Sequence, residues 1–258
     1  VETMVTNIMG TANLLDALRD SPGLKGVLVV TSDKAYDNDS YDQAHGEIVF
    51  TEGDALGGRD PYSASKGCQE IVTRSFGQSY FCAANIPVVT ARAGNVVGGG
   101  DWSEDRLMTD IIRAVSNGDP VELRSPGTTR PWQHVIEPVS GYLMYLQAAV
   151  EGKTTVPALN FGPHESHTVG HVTSLMLDAW GSTAGITQQD NTGGSKEALT
   201  LALNSSLATK TLAWEPRLEL PTCVEWIVAW HKAHLDGRKM RDVTEAQIAS
   251  FEMMMDTK

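Results

Sequence analysis

The chain has 258 residues, enough to bury the core of one large domain or of two interleaved ones. It carries 20 Lys+Arg against 32 Asp+Glu, a net charge of -12, and it has no basic run that could neutralise a phosphate backbone, so we expect no nucleic-acid binding. It also lacks an apolar run of the ~18 residues needed to span a bilayer, so we expect no membrane association.

The chain opens with a helical pattern. The apolar residues at helix spacing are Val1, Val5, Ile8, Ala12, Leu15 and Leu18. We expect this helix to run to about Arg19 and to end at a Ser-Pro-Gly turn. The chain does not begin with methionine or with a signal-peptide pattern, and we interpret it as the interior of a longer protein.

The next segments predict a parallel sheet. Residues 26–31 (Gly-Val-Leu-Val-Val-Thr) form a continuous apolar run, which is typical of a buried parallel strand. Residues 37–58 are polar and rich in Gly and Asp, which predicts a loop, and Pro61 then opens a helix. Residues 86–91 (Ile-Pro-Val-Val-Thr-Ala) predict a second buried strand. Strand, helix, strand in this order indicates an α/β fold.

The second half of the chain alternates short elements. We expect strands at 121–123 and 159–161 and helices from Arg106 and near 141–150, 169–180, 205–212 and 222–235. We interpret the tail, residues 251–258, as a fraying end.

The most informative motif is Tyr-Ser-Ala-Ser-Lys at residues 62–66. Tyr62 and Lys66 are four residues apart, so they lie on one helix face and the ammonium can stabilise the tyrosine as a phenolate. A phenolate is a general base suited to the oxidation of an alcohol. The motif is weak by itself, but here it opens a helix that follows a buried strand.

Polar residues follow that strand directly, since residues 31–34 are Thr-Ser-Asp-Lys. In open parallel sheets, ligands bind beyond the carboxyl ends of the strands, where Ser32, Asp33 and Lys34 fall. The alternative for Asp33 and Lys34 is a solvated turn pair. Together with the Tyr-Lys motif, these residues predict a catalytic site at this end of the sheet.

Several segments carry a family resemblance: residues 7–15, 31–36, 60–67, 92–102 and 130–135. They resemble the extended short-chain dehydrogenase/reductase family and, within it, the nucleotide-sugar 4,6-dehydratases. The similarity continues through residues 160–163 and 214–217 and so covers nearly the whole chain. Most such dehydratases carry Asp-Glu after the strand-end Thr. Here Lys34 follows Asp33, which, with Gly-Gly-Gly-Asp-Trp and Arg-Pro-Trp-Gln-His, is similar to the branch that acts on CDP-glucose.

The resemblance implies a Rossmann-like parallel sheet with a smaller α/β substrate-binding domain, NAD as cofactor and a nucleotide-sugar substrate. Residues 1–98, with 130–163 partly returning, would form the remainder of the NAD-binding domain. Residues 99–258 would form mainly the nucleotide-sugar-binding domain. The implied cofactor-binding residues are Thr31, Tyr62, Lys66 and Asn7.

The resemblance also implies roles in catalysis. Tyr62 would take the proton of the hydroxyl at carbon 4 while hydride passes to NAD, and Lys66 would hold the nicotinamide ribose. Asp33 is then the expected acid and Lys34 the expected base of an elimination across carbons 5 and 6. Ser32, or Thr31 beside it, would hydrogen-bond the hydroxyl at carbon 4.

Other positions have open alternatives. Asn7 is either a buried polar group of the first helix or part of a proton relay behind Lys66. Arg130 could pair with a diphosphate bidentately, or it could form a surface ion pair. Asn95, just past a strand, is a candidate ligand of phosphate or sugar. Arg106 and His134 are further substrate-binding candidates.

Two segments imitate other sites. Residues 94–100 resemble a dinucleotide fingerprint, but three residues separate the first two glycines, and Asp101, Glu104 and Asp105 follow. These carboxylates would repel a pyrophosphate, so we interpret the segment as a substrate loop. Residues 164–167 (His-Glu-Ser-His) with His171 resemble a metal cluster. We expect a solvated turn there and no metal.

The remaining expectations concern the state of the protein. Cys68, Cys82 and Cys223 form no Cys-x-x-Cys pair, which favours reduced thiols in the cytoplasm. The family's first Gly-rich turn and the acidic residue that binds the adenosine ribose precede the matched segments, so we expect this chain alone to bind NAD poorly. A homodimer through the first helix and the Tyr62 helix is implied by the resemblance.

Two alternatives to the dehydratase remain open. A nucleotide-sugar epimerase or reductase of the same fold needs Tyr62 and Lys66 but no elimination pair. An inactive nucleotide-sugar-binding fragment needs neither the Tyr62–Lys66 pair nor an elimination pair.

Overall fold

The computed structural model describes residues 1–37, 48–104, 106–188 and 201–256. Much of the predicted loop 37–58, Asp105 and the last two residues lie outside these ranges. The chain divides into two compact units. The first unit comprises Val1–Gly94, Pro138–Pro163 and Ala202–Glu215, and the second comprises Asn95–Glu137, His164–Leu201 and Pro216–Lys258.

The helices are α1 (Glu2–Met4), α2 (Gly10–Leu18), α3 (Pro61–Phe76), α4 (Leu107–Asn117), α5 (Ile136–Val150), α6 (Val169–Trp180), α7 (Ser206–Leu212), α8 (Leu220–Leu235) and α9 (Met240–Asp256). The strands are β1 (Val27–Val30), β2 (Ile48–Phe50), β3 (Val88–Ala93), β4 (Asn95–Val97), β5 (Val121–Leu123), β6 (Thr129–Arg130), β7 (Trp132–His134), β8 (Ala158–Phe161), β9 (His167–Thr168), β10 (Ile186–Gln188) and β11 (Leu201–Leu203). In the described part of the chain, no helix has the length and apolar character that crossing a membrane requires.

A parallel sheet with strand order β1-β3-β8 forms the centre of the first unit. Val27 lies beside Val88 in the β1–β3 pair. The parallel sheet predicted from the two apolar runs is therefore confirmed. Strand β3 extends beyond the predicted end at Ala91, so Arg92 lies within the strand and is buried.

The predicted first helix is present with one irregularity. Between α1 and α2, residues Val5–Met9 form a π-helical turn, and the N–H of Gly10 bonds to the carbonyl of Val5. Of the predicted apolar stripe, Leu15 is buried, whereas Val5 is exposed. The stripe therefore does not face the core of this unit along its whole length.

The core of the first unit is aromatic around Phe161 on β8. Tyr142 and Trp214 contact its ring edge-on, with centroids 5.4 and 5.0 Å away. Gly141 permits this packing, because a Cβ at that position would lie 2.4 Å from the Phe161 ring.

The second unit has its own core, to which α4, α6, α8 and β5 contribute buried residues; α6 packs against α4 and α8, and α4 packs against β5. The interpretation of residues 251–258 as a fraying end was wrong as far as Asp256, because α9 continues to that residue and buries Phe251. Two hydrogen bonds fasten α9 to α8: Trp230 Nε1 donates to Thr244 Oγ1 at 3.0 Å, and Gln247 Nε2 donates to the carbonyl of Trp226 at 2.9 Å.

A buried ion pair joins helix α3 to the sheet of the first unit. Arg92 Nε and Nη2 donate to the two carboxylate oxygens of Glu70, at 2.7 and 2.9 Å. The hydroxyls of Thr31 and Thr90 donate to the same carboxylate. Burial opposes ionisation of Glu70, but the hydrogen bonds and the charge of Arg92 lower its pKa overall. The carboxylate therefore joins α3 to β3 and to the end of β1.

The pair extends into a polar network. Arg92 Nη1 donates to the Tyr36 hydroxyl at 2.8 Å, and that hydroxyl donates to Asn160 Oδ1 on β8 at 2.7 Å. The Tyr36 ring stacks on Phe50, with centroids 4.7 Å apart. Burial raises the pKa of Tyr36 to about 12, so it stays a neutral donor. The network thus joins β3 and β8 to the segment that follows β1.

We expect Arg92→Met to destabilise the protein by about 3–5 kcal/mol, because it leaves the Glu70 carboxylate buried without its cation. Denaturant unfolding measures the loss. Lys153→Met, which removes the exposed partner of Glu151, should leave the free energy of unfolding nearly unchanged, because water screens an exposed ion pair. Adding Glu70→Met to Arg92→Met should recover part of the loss. A double variant as unstable as the sum of the two single variants would contradict this account.

Candidate active site

Tyr62 lies in the first turn of α3. The helix begins there because Asp60 caps it, accepting from the backbone N–H groups of Tyr62 and Ser63 at 2.9 and 3.0 Å, and because Pro61 takes the first helical position. Burial opposes ionisation of the Asp60 carboxyl, but the hydrogen bonds from Ser63 and Tyr62 lower its pKa overall. The Tyr62 side chain is 44% exposed and is available to a ligand.

Lys66 lies one turn further along α3, and its Nζ is 5.9 Å from the centroid of the Tyr62 ring. The ammonium donates to Gln69 Oε1 at 3.0 Å. Burial lowers the pKa of Lys66, and the charge of Glu70 partly offsets this effect. The structure thus places the two residues of the motif side by side, and their use as a general base stays a prediction.

Ser32, Asp33 and Lys34 follow β1 in a tight bend. Asp33–Ala35 form a single 3₁₀ turn that Ser32 caps, accepting from the Lys34 N–H at 3.2 Å and donating to Asp33 Oδ1 at 2.8 Å. Asp33 is buried and Lys34 is half-buried, so a fully solvated turn pair does not describe them. Helix α3 packs against this turn, and Gly67 allows a close approach.

Thr31 and Asn7 are engaged within the first unit. The Thr31 hydroxyl donates to Glu70, which turns it towards the buried ion pair. Asn7 lies in the π-helical turn, and its Nδ2 donates to Ser65 Oγ at 2.9 Å. Asn7 has no direct hydrogen bond to Lys66 among the described contacts.

Sequence reasoning missed Gln69, the hydrogen-bond acceptor of Lys66, and Thr11, to which Gln69 donates. The signal was present in the spacing. Gln69 follows Lys66 by three positions and Tyr62 by seven, and both intervals return to the same helix face.

The substrate-binding candidates belong to the second unit. Asn95 opens β4, where it pairs with Trp132 of β7. Arg130 lies in β6 and is buried, with Nη1 donating to the carbonyl of Thr129 at 2.9 Å, so it is not a surface residue, and its pairing with a diphosphate stays a prediction. Arg106 is exposed and immediately precedes α4.

His134 ends β7 and is only 4% exposed. Its Nδ1 accepts from the Ile136 N–H at 3.3 Å, and burial lowers the pKa of His134 to about 4, so the ring is neutral at physiological pH. Its Nε2 is buried with no hydrogen-bond partner in the ranges that the structure covers. This places an unused donor at the position where a substrate contact was predicted.

The structure also describes the two segments that resemble other kinds of site, residues 94–100 and residues 164–167 with His171. Residues 95–97 form β4, so the glycine-rich segment is not a single loop. Gly99 is required by packing, since a Cβ there would lie 2.2 Å from the Trp230 ring. His167 Nε2 is 3.8 Å from Glu165 Oε2, but no group of three or more potential metal ligands occurs in the described residues. All three cysteines carry free thiols.

Comparison with known proteins supports the predicted resemblance. The sequence model of the NAD dependent epimerase/dehydratase family matches residues 1–162. The CDP-glucose 4,6-dehydratase of Salmonella typhimurium is 39% identical to this chain, over 97% of the chain and 70% of that enzyme.

Solved structures share the fold. The dTDP-glucose 4,6-dehydratase of Bacillus anthracis, in complex with NAD, superposes with a TM-score of 0.73 at 21% identity, covering 89% of this chain and 68% of that one. The UDP-glucose 4-epimerase of Thermotoga maritima gives a TM-score of 0.74 at 20% identity, over 90% of this chain and 71% of that one. The Rossmann-like fold is therefore confirmed, and the chain belongs to the NAD dependent epimerase/dehydratase family.

Proposed function

We propose that the protein catalyses the NAD-dependent dehydration of a nucleotide-activated glucose, CDP-glucose, to CDP-4-keto-6-deoxyglucose. The observation that carries the proposal is one helix, α3, that bears Tyr62 and Lys66 side by side and packs against the turn bearing Asp33 and Lys34. An alcohol-oxidising pair and an elimination pair therefore lie in the same unit. The 39% identity to a CDP-glucose 4,6-dehydratase supports CDP-glucose as the substrate.

The residues present fit the nicotinamide end of NAD. Lys66 gives one N–H to Gln69, which leaves two for the ribose and for Tyr62, and the Tyr62 phenol is exposed. When bound, NAD accepts a hydride from carbon 4 and returns it at carbon 6.

In the first half of the reaction, Tyr62 takes the proton from the hydroxyl at carbon 4, and Lys66 stabilises the phenolate that accepts it. Ser32 is held by Asp33 and by the Lys34 N–H, which fixes its hydroxyl as a hydrogen-bonding partner for the sugar. Asn95, Arg106, Arg130 and His134 are proposed to bind the nucleotide sugar. The result is a 4-ketone.

The ketone acidifies the hydrogen at carbon 5. Lys34 removes this proton, Asp33 protonates the hydroxyl at carbon 6, and water leaves as a double bond forms between carbons 5 and 6. A proton then returns to carbon 5, so the product is a 4-keto-6-deoxy sugar with no net oxidation. An epimerase or reductase of the same fold would not need this pair.

We expect Tyr62→Phe to lower kcat by about 10²- to 10⁴-fold, because it removes the proton acceptor of the first step while leaving the ring in place. Mass spectrometry of the nucleotide sugar, which detects the loss of water, measures the rate. Tyr80→Phe removes the same atom from an exposed ring in the π-helical turn that follows α3 and should leave the rate unchanged. Equal rates for Tyr62→Phe and the parent protein would refute the assignment.

We expect product formed in deuterated water to carry solvent deuterium at carbon 5. The elimination breaks the carbon–hydrogen bond at this position, and the proton that later returns there comes from the solvent. Lys34→Met should abolish both the deuterium and the loss of water, whereas Lys25→Met, at an exposed lysine, should change neither. NMR of the product locates the label. Conversion to a 4-epimer without loss of water would favour the epimerase, and binding without any conversion would favour the inactive fragment.

We also propose a cytoplasmic location, which the three free thiols support.

We also propose a homodimer through α2 and α3, since Leu14 and Ile71 on these helices are 59% and 60% exposed. We expect Leu14→Glu with Ile71→Glu to yield monomers in light scattering, because carboxylates would be buried in the interface. Leu143→Glu, at a residue 66% exposed on α5, should leave the mass unchanged. A parent protein that is monomeric at high concentration would refute the dimer.

A further inference from the structure

A chain of hydrogen bonds joins Lys66 to the first helix. Lys66 Nζ donates to Gln69 Oε1 at 3.0 Å, and Gln69 Nε2 donates to Thr11 Oγ1 at 2.8 Å. Thr11 in turn donates its hydroxyl to the carbonyl of Asn7 at 2.8 Å. Gln69 and Thr11 are both buried, so water does not compete for the middle of the chain.

The direction of these bonds is fixed by the proton count. A hydroxyl has one proton, and Thr11 gives it to a backbone carbonyl, so its oxygen accepts from Gln69. The NH₂ of Gln69 therefore faces Thr11, and its carbonyl oxygen faces Lys66. The reversed amide would place a donor against the ammonium.

The turn of the first helix that carries Asn7 also contacts the start of α3. Asn7 Nδ2 donates to Ser65 Oγ, which donates to the carbonyl of Tyr62 at 2.7 Å. The π-helical turn Val5–Met9 thus supports Tyr62 through one branch and Lys66 through the other. The branch to Lys66 passes through the side chain of Gln69.

We propose that Gln69 is a positioning residue of the Tyr62–Lys66 pair, which holds the Lys66 ammonium beside Tyr62 through a neutral acceptor. Its consequence for catalysis rests on the function proposed above, whereas its effect on Lys66 does not.

The neutrality of the acceptor matters because Lys66 already has an anion nearby. Burial lowers the pKa of Lys66 and Glu70 partly offsets this, so a carboxylate at position 69 would add a second anion in direct contact. It would also repel a phenolate at Tyr62. An amide oxygen fixes the lysine in space without this electrostatic cost.

The test uses NMR of isotope-labelled lysine side chains in the full chain, without cofactor or substrate, with the Lys66 signal assigned from Lys66→Arg. We expect Gln69→Glu to raise the pKa of Lys66, because a contacting carboxylate favours the ammonium. We expect Gln69→Met to lower it, because a half-buried ammonium loses its acceptor. Gln78→Glu, the same change at an exposed glutamine, should leave Lys66 unmoved.

Opposite shifts in the two Gln69 variants support the proposal. A purely structural role predicts that both variants loosen the site, expose Lys66 and move its pKa towards the ordinary lysine value, and this result would overturn it. An unchanged Lys66 in both variants would overturn it as well.

A second measurement links Gln69 to turnover. If the parent protein forms the 4-keto-6-deoxy product, we expect Gln69→Met to lower kcat by about 10- to 100-fold, because Lys66 is then misplaced. We also expect the acidic limb of the pH profile of kcat to move to higher pH. No product from the parent protein would refute the proposed function, and the NMR result would still decide the role of Gln69.

Discussion

The first unit depends on the bidentate bond between Arg92 and Glu70. A charge pair in this position is costly to desolvate, and it is stable here because both carboxylate oxygens and the whole guanidinium fork are hydrogen-bonded. The pair fixes α3 against β3 and the end of β1 through Thr31 and Thr90. The two pairs proposed for acid-base chemistry lie on α3 and directly after β1, so this buried bond helps to hold them close to each other.

Helix α3 serves two purposes. Glu70 is buried in the ion pair with Arg92. Tyr62, Lys66 and Gln69 are neighbours along the helix through intervals of four and three. Because Lys66 and Glu70 are also one turn apart, the structural anion contributes to the charge of the proposed catalytic lysine. Stability and reactivity are therefore coupled along one helix.

Much of this arrangement follows from local sequence rules. The apolar runs gave the parallel strands, Asp60 and Pro61 mark the start of α3, and the interval between Tyr62 and Lys66 puts them on one face. The buried partners could not be predicted in this way, because Arg92, Tyr36 and Asn160 meet only through long-range packing. Helix α9 was missed because its buried face is narrow, with Val243 and Phe251 as its buried residues.

The π-helical turn at Val5–Met9 has a consequence for sequence changes in this region. It accommodates one extra residue per turn, so the helix before it and the helix after it are out of phase by about 100° relative to a continuous α-helix. Deleting a single residue there would relax the turn to regular geometry and rotate Asn7 away from Ser65 or Thr11 away from Gln69. At positions other than Asn7, substitutions in this segment are therefore more tolerable than changes of its length.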